Sequence, residues 1–105
     1  MSDETELTEG NFASKTSKGN WVVDFWAAWC IPCKIMAPHF AAAAKEMKGK
    51  VHFGKVDVDA EGALAEQFDI VSIPTTLFMK EGEVVNRISG AMPKDELMKA
   101  VKESF

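Results

Sequence analysis

The sequence predicts an α/β fold with a central mixed β-sheet of about five strands, flanked on its two faces by about four helices. Residues 21–27 form a nearly continuous apolar run, a long helical segment follows, and residues 51–58 form a second apolar run. These three segments predict two parallel strands joined by a helix. Lys80-Glu81-Gly82 separates two further strand-like runs and indicates a hairpin. The expected element order is βαβαβαββα, with a parallel first half and an antiparallel end.

The first half of the chain contains four predicted elements. An extended segment lies near residues 5–7, and residues 8–18 predict a weak helix that ends at the turn signal Gly19-Asn20. The aromatic and β-branched run 21–27 predicts a central strand covered on both faces. The following helix is expected from about residue 33 to residue 48, with a kink at Pro38 because an interior proline loses one backbone hydrogen bond.

The second half begins with the strand at residues 51–58. Asp59 is expected to cap a short helix, in which Leu64 and Phe68 lie four residues apart and share one face. Residues 75–79 and 83–88 predict the two strands of the hairpin. Pro93 is expected to start the last helix, whose apolar stripe consists of Leu97, Val101 and Phe105.

The composition is that of one globular domain covering residues 1–105. Apolar residues make up 47% and charged residues 27% of the chain, close to average globular usage, which excludes a disordered or low-complexity sequence. The formal net charge is −4. Since proteins that bind nucleic-acid backbones are normally basic, nucleic acid is not an expected partner.

The N-terminal residues predict a cytoplasmic protein. Residues 1–6 are acidic and lack the apolar segment of a secretory signal peptide. The longest apolar stretch, residues 21–33, is interrupted by Asp24 and is too short to span a bilayer. We therefore expect no membrane association.

Two cysteines, Cys30 and Cys33, fall where the first long strand ends and the long helix begins. Unpaired N–H groups and the helix dipole at such a position stabilise a thiolate. Residues three apart in a first helical turn have Cβ atoms within about 5–6 Å, close to disulfide geometry. Pro32 suits this turn because its missing N–H costs little there. A disulfide closing so short a loop would contribute only about 2 kcal/mol, so the pair is expected to be reactive.

Zinc binding is the alternative use of the two cysteines. One Cys-x-x-Cys motif supplies two ligands, and His39 and His52 would have to supply the others. These histidines are not separated by the three to five residues typical of zinc motifs, and His39 is expected at the surface. No metal site is predicted.

Several segments together resemble the thioredoxin family. The resemblance is carried by VVDFWAAWCIPCK at residues 22–34, AP at 37–38, KVDVD at 55–59, IPT at 73–75 and GA at 90–91. These segments are spaced over nearly the whole chain. The resemblance implies a thioredoxin fold and a thiol–disulfide oxidoreductase.

The resemblance also implies roles for the two cysteines. Cys30, nearer the surface, is expected to attack a substrate disulfide and form a mixed disulfide, and Cys33, one turn deeper, to resolve it. Asp24 has a physical argument of its own, because burial in an apolar strand should raise its pKa. It is a candidate proton acceptor for Cys33, with Lys55 moderating its charge. The alternative is a polar residue that merely forms hydrogen bonds to the backbone.

A docking surface for partner proteins is the third implication. Ile73-Pro74 resembles the cis-proline loop of the family, which lies against the cysteines. The expected surface surrounds Cys30 and consists of Trp29, Ile31, Pro32, Ile73, Pro74, Gly90 and Ala91. The alternative is that Trp29 and Ile73 are ordinary core or rim residues.

One position departs from the family pattern, since Ile31 stands where a glycine is usual. In the family, the pair between the cysteines tunes the redox potential, so a net disulfide oxidant or isomerase is an alternative to the expected dithiol reductant. A further alternative is a non-catalytic binding module that uses the same apolar surface. No bound cofactor is expected beyond the Cys30–Cys33 disulfide. The resemblance implies a monomer whose partners are disulfide-containing proteins and a separate thioredoxin-reductase-like protein, an NADPH-dependent flavoenzyme, which supplies the electrons.

Overall fold

A computed structural model describes residues 3–105. It contains five strands and four helices in the predicted order. They are β1 (Glu4–Glu6), α1 (Phe12–Thr16), β2 (Asn20–Trp26), α2 (Ile31–Glu46), β3 (His52–Asp57), α3 (Gly62–Gln67), β4 (Thr75–Lys80), β5 (Glu83–Ser89) and α4 (Lys94–Ser104).

All five strands form one mixed sheet in the order β1-β3-β2-β4-β5. β3 is parallel to both β1 and β2, whereas β4 is antiparallel to β2 and to β5. β2 therefore lies in the middle of the sheet, as its continuous apolar sequence predicts. The predicted α/β fold with a mixed sheet is confirmed.

Helices cover both faces of the sheet and form two apolar cores. On one face, α2 and α4 pack over the central strands through side chains such as Phe40 and Leu97, both fully buried. On the other face, α1 and α3 contribute Phe12 and Leu64 to a core around Phe25. The expected stripe of α4 is confirmed, because Leu97 and Val101 are buried and Phe105 packs against the same core.

The first helix is shorter than the sequence predicts. Residues 8–11 form a turn in which the Thr8 carbonyl accepts from the N–H groups of Asn11 and Phe12. The Asn11 side-chain oxygen accepts from the Thr8 N–H at 2.7 Å. The bond to the Asn11 side chain is a local alternative to regular helical hydrogen bonding, and α1 begins only at Phe12.

The prediction that Asp59 caps α3 is wrong. The helix begins at Gly62, and its N-cap position is held by Glu61 without a side-chain capping bond. The residues before it are organised by Asp57, whose Oδ1 accepts from the N–H of Asp59 at 2.9 Å. The Ala63 N–H in the first turn donates to a carboxylate oxygen of Glu9, which is distant in sequence.

The long helix α2 begins at Ile31, two residues earlier than expected, and continues through Pro38 to Glu46. The hairpin turn lies at Glu81 and Gly82, which both have positive φ, of 50° and 85°; the glycine adopts this conformation without steric cost. Within the described part of the chain, no helix is long and apolar enough to cross a membrane.

Candidate active site

The two cysteines lie at the start of α2, just beyond the carboxyl end of β2. Cys30 is the N-cap residue, with extended backbone, and Cys33 lies in the first turn. The Cys33 N–H donates to the Cys30 Sγ at 3.2 Å. The two residues form a disulfide, with their Cα atoms 5.2 Å apart. The N-terminus of the helix is therefore directed at the Cys30 sulfur, as the position of the motif predicts.

The cysteines are packed in a small apolar cluster beyond the two main cores. Cys30 is 4% exposed and Cys33 is 3% exposed, so the exposure of the whole residues does not separate a surface cysteine from a deeper one. Ala27 is buried beside them, and Trp26 and Ile73 pack against the same cluster. Both cysteines are therefore largely shielded from solvent by apolar groups.

The loop before β4 lies directly against the redox pair. The Ile73–Pro74 peptide bond is cis, as the resemblance implies. The Ile73 carbonyl oxygen lies 3.8 Å from the Cys30 Sγ. The Gly90 N–H donates to the Pro74 carbonyl at 2.8 Å, and the positive φ of Gly90, 99°, is a conformation that favours glycine. The cysteines, Ile73, Pro74 and Gly90 are thus brought together from three parts of the chain.

The expected docking surface is mostly exposed. Trp29 is 67% exposed and Ile31 is 68% exposed, large values for apolar side chains. Ile73 is half-buried and Pro74 is buried. The other residues of the expected surface are also exposed: Pro32, Gly90 and Ala91.

Asp59 belongs to this surface although the sequence pattern assigned it elsewhere. Its Oδ2 accepts a hydrogen bond from the Trp29 indole Nε1 at 2.8 Å. The bond fixes the orientation of a large exposed ring that has little packing around it. An aspartate can cap a helix or accept a hydrogen bond from another side chain, and no feature of the sequence distinguishes these two uses at Asp59.

Asp24 is buried in the middle of the sheet, with 1% exposure. Neither of its carboxylate oxygens accepts a hydrogen bond from residues 3–105, so the alternative of a carboxylate bound to the backbone is not supported. Burial raises the pKa of Asp24 from 3.8 to about 7, Lys55 lowers it in part, and Glu4 raises it. The carboxyl group can therefore gain or lose a proton near neutral pH.

Lys55 lies beside Asp24 in the register of β2 and β3. Its Nζ is 4.7 Å from the ring centroid of Trp26 and 3.9 Å from the Glu4 Oε1. Lys55, the register neighbour of Asp24, is therefore also in contact with Glu4, a residue that the sequence analysis does not single out. On the other side of β2, the register places Thr76 opposite Asp24.

The residues considered for zinc do not come together. The described residues contain no group of three or more histidine, cysteine or acidic side chains arranged to hold a metal ion. His39 is half-buried, contrary to the expected surface position. Its Nδ1 accepts a hydrogen bond from the Lys94 N–H at 3.1 Å, at the start of α4.

Comparison with known proteins gives one consistent result. The family model described as "Thioredoxin" matches residues 3–103. A thioredoxin from Staphylococcus saprophyticus is 38% identical over 98 residues, which covers 93% of this chain and 94% of that protein. A thioredoxin from Staphylococcus aureus strain Mu50 is 39% identical over 92 residues, 88% of each chain.

Proposed function

Because the chain belongs to the thioredoxin family, we propose that this thiol–disulfide oxidoreductase acts as a dithiol reductant of protein disulfides. The observation that carries the proposal is the position of Cys30 as the N-cap of α2, with the Cys33 N–H directed at its sulfur. A hydrogen-bond donor and the positive end of the helix dipole both favour a thiolate at this sulfur. The thiolate is the form that attacks a disulfide.

In the first step, the Cys30 thiolate attacks one sulfur of the substrate disulfide. A bond forms between Cys30 and that sulfur, the substrate S–S bond breaks, and the other sulfur leaves as a thiolate that takes a proton from water. The product is a mixed disulfide. A lower thiol pKa costs some intrinsic nucleophilicity, but it raises the thiolate fraction and makes Cys30 a better leaving group in the second step.

In the second step, Cys33 gives up its proton and attacks the Cys30 sulfur. The Cys30–Cys33 bond forms, the mixed disulfide breaks, and the substrate leaves with its second thiol. The substrate disulfide has then gained two electrons and two protons, and the cysteine pair has lost them. Asp24 acts as the proton acceptor for Cys33, since a carboxyl group with a pKa of about 7 is suited to this task near neutral pH. Lys55 moderates the negative charge that Asp24 carries before it accepts the proton.

The exposed apolar side chains around Cys30 provide the docking surface for substrate proteins. Trp29 and Ile31 project beside the nucleophile, and the loop at Ile73 and Pro74 places backbone groups next to it. An extended substrate segment can pair with such backbone groups while its side chains contact the apolar surface. This surface consists of Trp29, Ile31, Pro32, Ile73, Pro74, Gly90 and Ala91.

The oxidised pair needs a reductant before it can act again. We propose that a separate thioredoxin-reductase-like protein, an NADPH-dependent flavoenzyme, supplies these electrons, and that the protein carries no bound cofactor of its own. We further propose that the chain acts as a monomer in the cytoplasm, where a reducing environment keeps the cysteines available as a dithiol.

Reduction of insulin disulfides in the presence of dithiothreitol tests the proposal. The wild-type protein should accelerate the reaction, and Cys30→Ser should abolish the acceleration. Cys33→Ser, reduced and then mixed with insulin without dithiothreitol, should accumulate a mixed disulfide that mass spectrometry detects. Ser14→Ala is a control with an exposed side chain far from the site, and it should behave like the wild type. No acceleration by the wild type, or full activity of Cys30→Ser, would overturn the proposal.

The role of Asp24 is tested separately. Asp24→Asn should slow the release of the mixed disulfide more than its formation, because the variant cannot accept the Cys33 proton. Stopped-flow measurements resolve the two steps. Unchanged rates for both steps would remove Asp24 from the mechanism.

A net oxidant or isomerase is the second candidate, and Ile31 is the observation that favours it. Its large apolar side chain stands between the cysteines and is 68% exposed, where the family usually has glycine. Measurement of the reduction potential against glutathione, with Ile31→Gly for comparison, distinguishes the two directions. A potential well above that of the cellular glutathione pool would assign the protein to disulfide formation.

A further inference from the structure

Three strands bring three ionisable side chains to one place in the sheet. Asp24 in β2 is paired in register with Lys55 in β3. Glu4 in β1 is paired with Phe53, two residues before Lys55 on the same strand. Because residues two apart in a strand point to the same face, Glu4 and Lys55 share the face that carries Asp24. Because β3 lies between β1 and β2, the register places Lys55 between these two acidic residues.

The distances and burial make this arrangement a strong one. The Lys55 Nζ is 3.9 Å from the Glu4 Oε1, and the two side chains are only 24% and 14% exposed. Glu4, Trp26 and Lys55 line the same open cavity of about 550 Å³, and the Trp26 ring limits the position of the ammonium. Charges this well shielded from solvent act on one another more strongly than surface charges do.

We propose that Glu4 is a positioning residue for the acid–base group Asp24, holding the Lys55 ammonium toward β1 and thereby making Asp24 a stronger proton acceptor. This inference rests on the proposed function, in which Asp24 accepts the Cys33 proton. Glu4 does not touch the reacting sulfurs, and its effect passes through Lys55 and through repulsion between the two carboxylates.

The charges around Asp24 agree with this role. Of the charged groups in residues 3–105, Lys55 lowers the pKa of Asp24 and Glu4 raises it, after the larger effect of burial. β4 contributes the uncharged Thr76 opposite Asp24. α2 contributes the cysteines, which carry no charge while they form a disulfide. Glu6 of β1 is the register partner of Lys55, but its side chain is exposed and its charge is screened by solvent. Glu4 is the largely buried acidic group that raises the pKa of Asp24.

The expected consequence is a shift in the titration of Asp24. Without the Glu4 charge, Asp24 loses the repulsion of that carboxylate and keeps the attraction of the Lys55 ammonium. The carboxylate form of Asp24 therefore becomes more favourable. Glu4→Gln should move the titration midpoint of Asp24 to lower pH by about 0.5–1 unit, a loss of about three- to tenfold in proton affinity. The pH profile of mixed-disulfide release should move by the same amount.

The test uses the full chain in its oxidised form, with the Asp24 carboxyl carbon followed by NMR as a function of pH. Glu83→Gln is the matched control, because it removes the same charge from an exposed position of β5, at the opposite edge of the sheet, where solvent screening leaves a shift below about 0.2 units. Should Glu4→Gln fail to fold, Glu4→Leu removes the same charge and places an apolar side chain beside Phe53. An unchanged or higher midpoint on removal of the Glu4 charge, or an equal decrease in Glu83→Gln, would overturn the inference.

The second measurement separates the effect on Asp24 from a structural defect. A structural defect lowers the rate of mixed-disulfide release at every pH, whereas the proposed effect displaces the pH profile along the pH axis. If Asp24→Asn leaves release unchanged, the proposed catalytic role of Asp24 fails, while the NMR titration still decides whether Glu4 controls its base strength.

Discussion

The buried carboxyl group of Asp24 should make the fold less stable as the pH rises toward neutrality. Its pKa is about 7 in the folded protein against 3.8 for the ordinary group, so folding takes up a proton between these two pH values. Below pH 3.8 the group is protonated in both states and has no effect. Above it, the unfolded chain releases the proton first, and the free energy of unfolding falls until the folded form also ionises near pH 7.

The size of this effect follows from the same two values. They differ by about 3 pKa units, and each unit corresponds to about 1.4 kcal/mol, so Asp24 should lower the free energy of unfolding by about 4 kcal/mol at pH 8. Asp24→Asn keeps the shape of the side chain and removes the ionisation. The variant should have nearly the stability of the wild type close to pH 4, and it should exceed the wild type by about 4 kcal/mol at pH 8.

Urea unfolding of the oxidised proteins between pH 4.5 and pH 8.5 measures the difference directly. Asp95→Asn is the matched control, since it makes the same chemical change at an exposed position of α4. The difference between its free energy of unfolding and that of the wild type should be the same at every pH in this range. A gain from Asp24→Asn that is the same at pH 5 and pH 8 would refute the argument, because only ionisation of a buried group produces the pH dependence.

Three further predictions concern contacts between elements. Leu97→Ala, at a fully buried position of α4, should lower the free energy of unfolding by about 2–5 kcal/mol in urea, and the exposed Lys99→Ala should leave it nearly unchanged. Arg87→Gln removes the guanidinium that donates to two carbonyls at the end of α3; a loss of about 1 kcal/mol is expected, and an unchanged melting temperature would contradict it. His39→Leu removes the acceptor of the Lys94 N–H, and amide exchange at the start of α4 should accelerate by about tenfold, whereas equal protection would show that this bond contributes nothing.

Elements with strong local signals were predictable from the sequence. β2 follows from an apolar run with β-branched and aromatic residues, and the hairpin follows from Gly82 between two such runs. The start of α2 was expected at Cys33 but lies at Ile31, because Cys30 itself acts as the N-cap. Where one segment contains its own start and stop signals, local propensity and tertiary structure agree.

The ends of the two short helices depend on residues that are distant in sequence or on competing turns. Asn11 binds back to Thr8 and delays α1, and Glu9 reaches the first turn of α3 across the fold. A five-residue helix and a six-residue helix have little stability of their own. Their boundaries are therefore decided by tertiary contacts, which a propensity argument does not contain.

The candidate site likewise contains residues that have a local sequence signal and residues that only the tertiary structure brings in. The cysteines and Asp24 were recognisable because each is unusual where it stands, as a Cys-x-x-Cys at a strand–helix junction and as a lone charge in an apolar strand. Glu4 and Asp59 had no such signal, since acidic residues are common in an acidic chain. They join the site only because the strand register places Glu4 near Lys55 and the chain folds Asp59 against Trp29.

The order of the strands leaves two edges, and neither edge is a good template for the growth of the sheet by added chains. β1 offers only three residues, two of them glutamates. β5 changes register opposite Phe78 and Met79, and such a bulge, with the charges of Glu83 and Arg87, disrupts continuous pairing with a neighbour. The exposed Val84 and Val85 therefore do not form part of a regular edge strand that could pair with another chain. The apolar surface around Cys30 can thus remain exposed without a second route to self-association along the sheet edges.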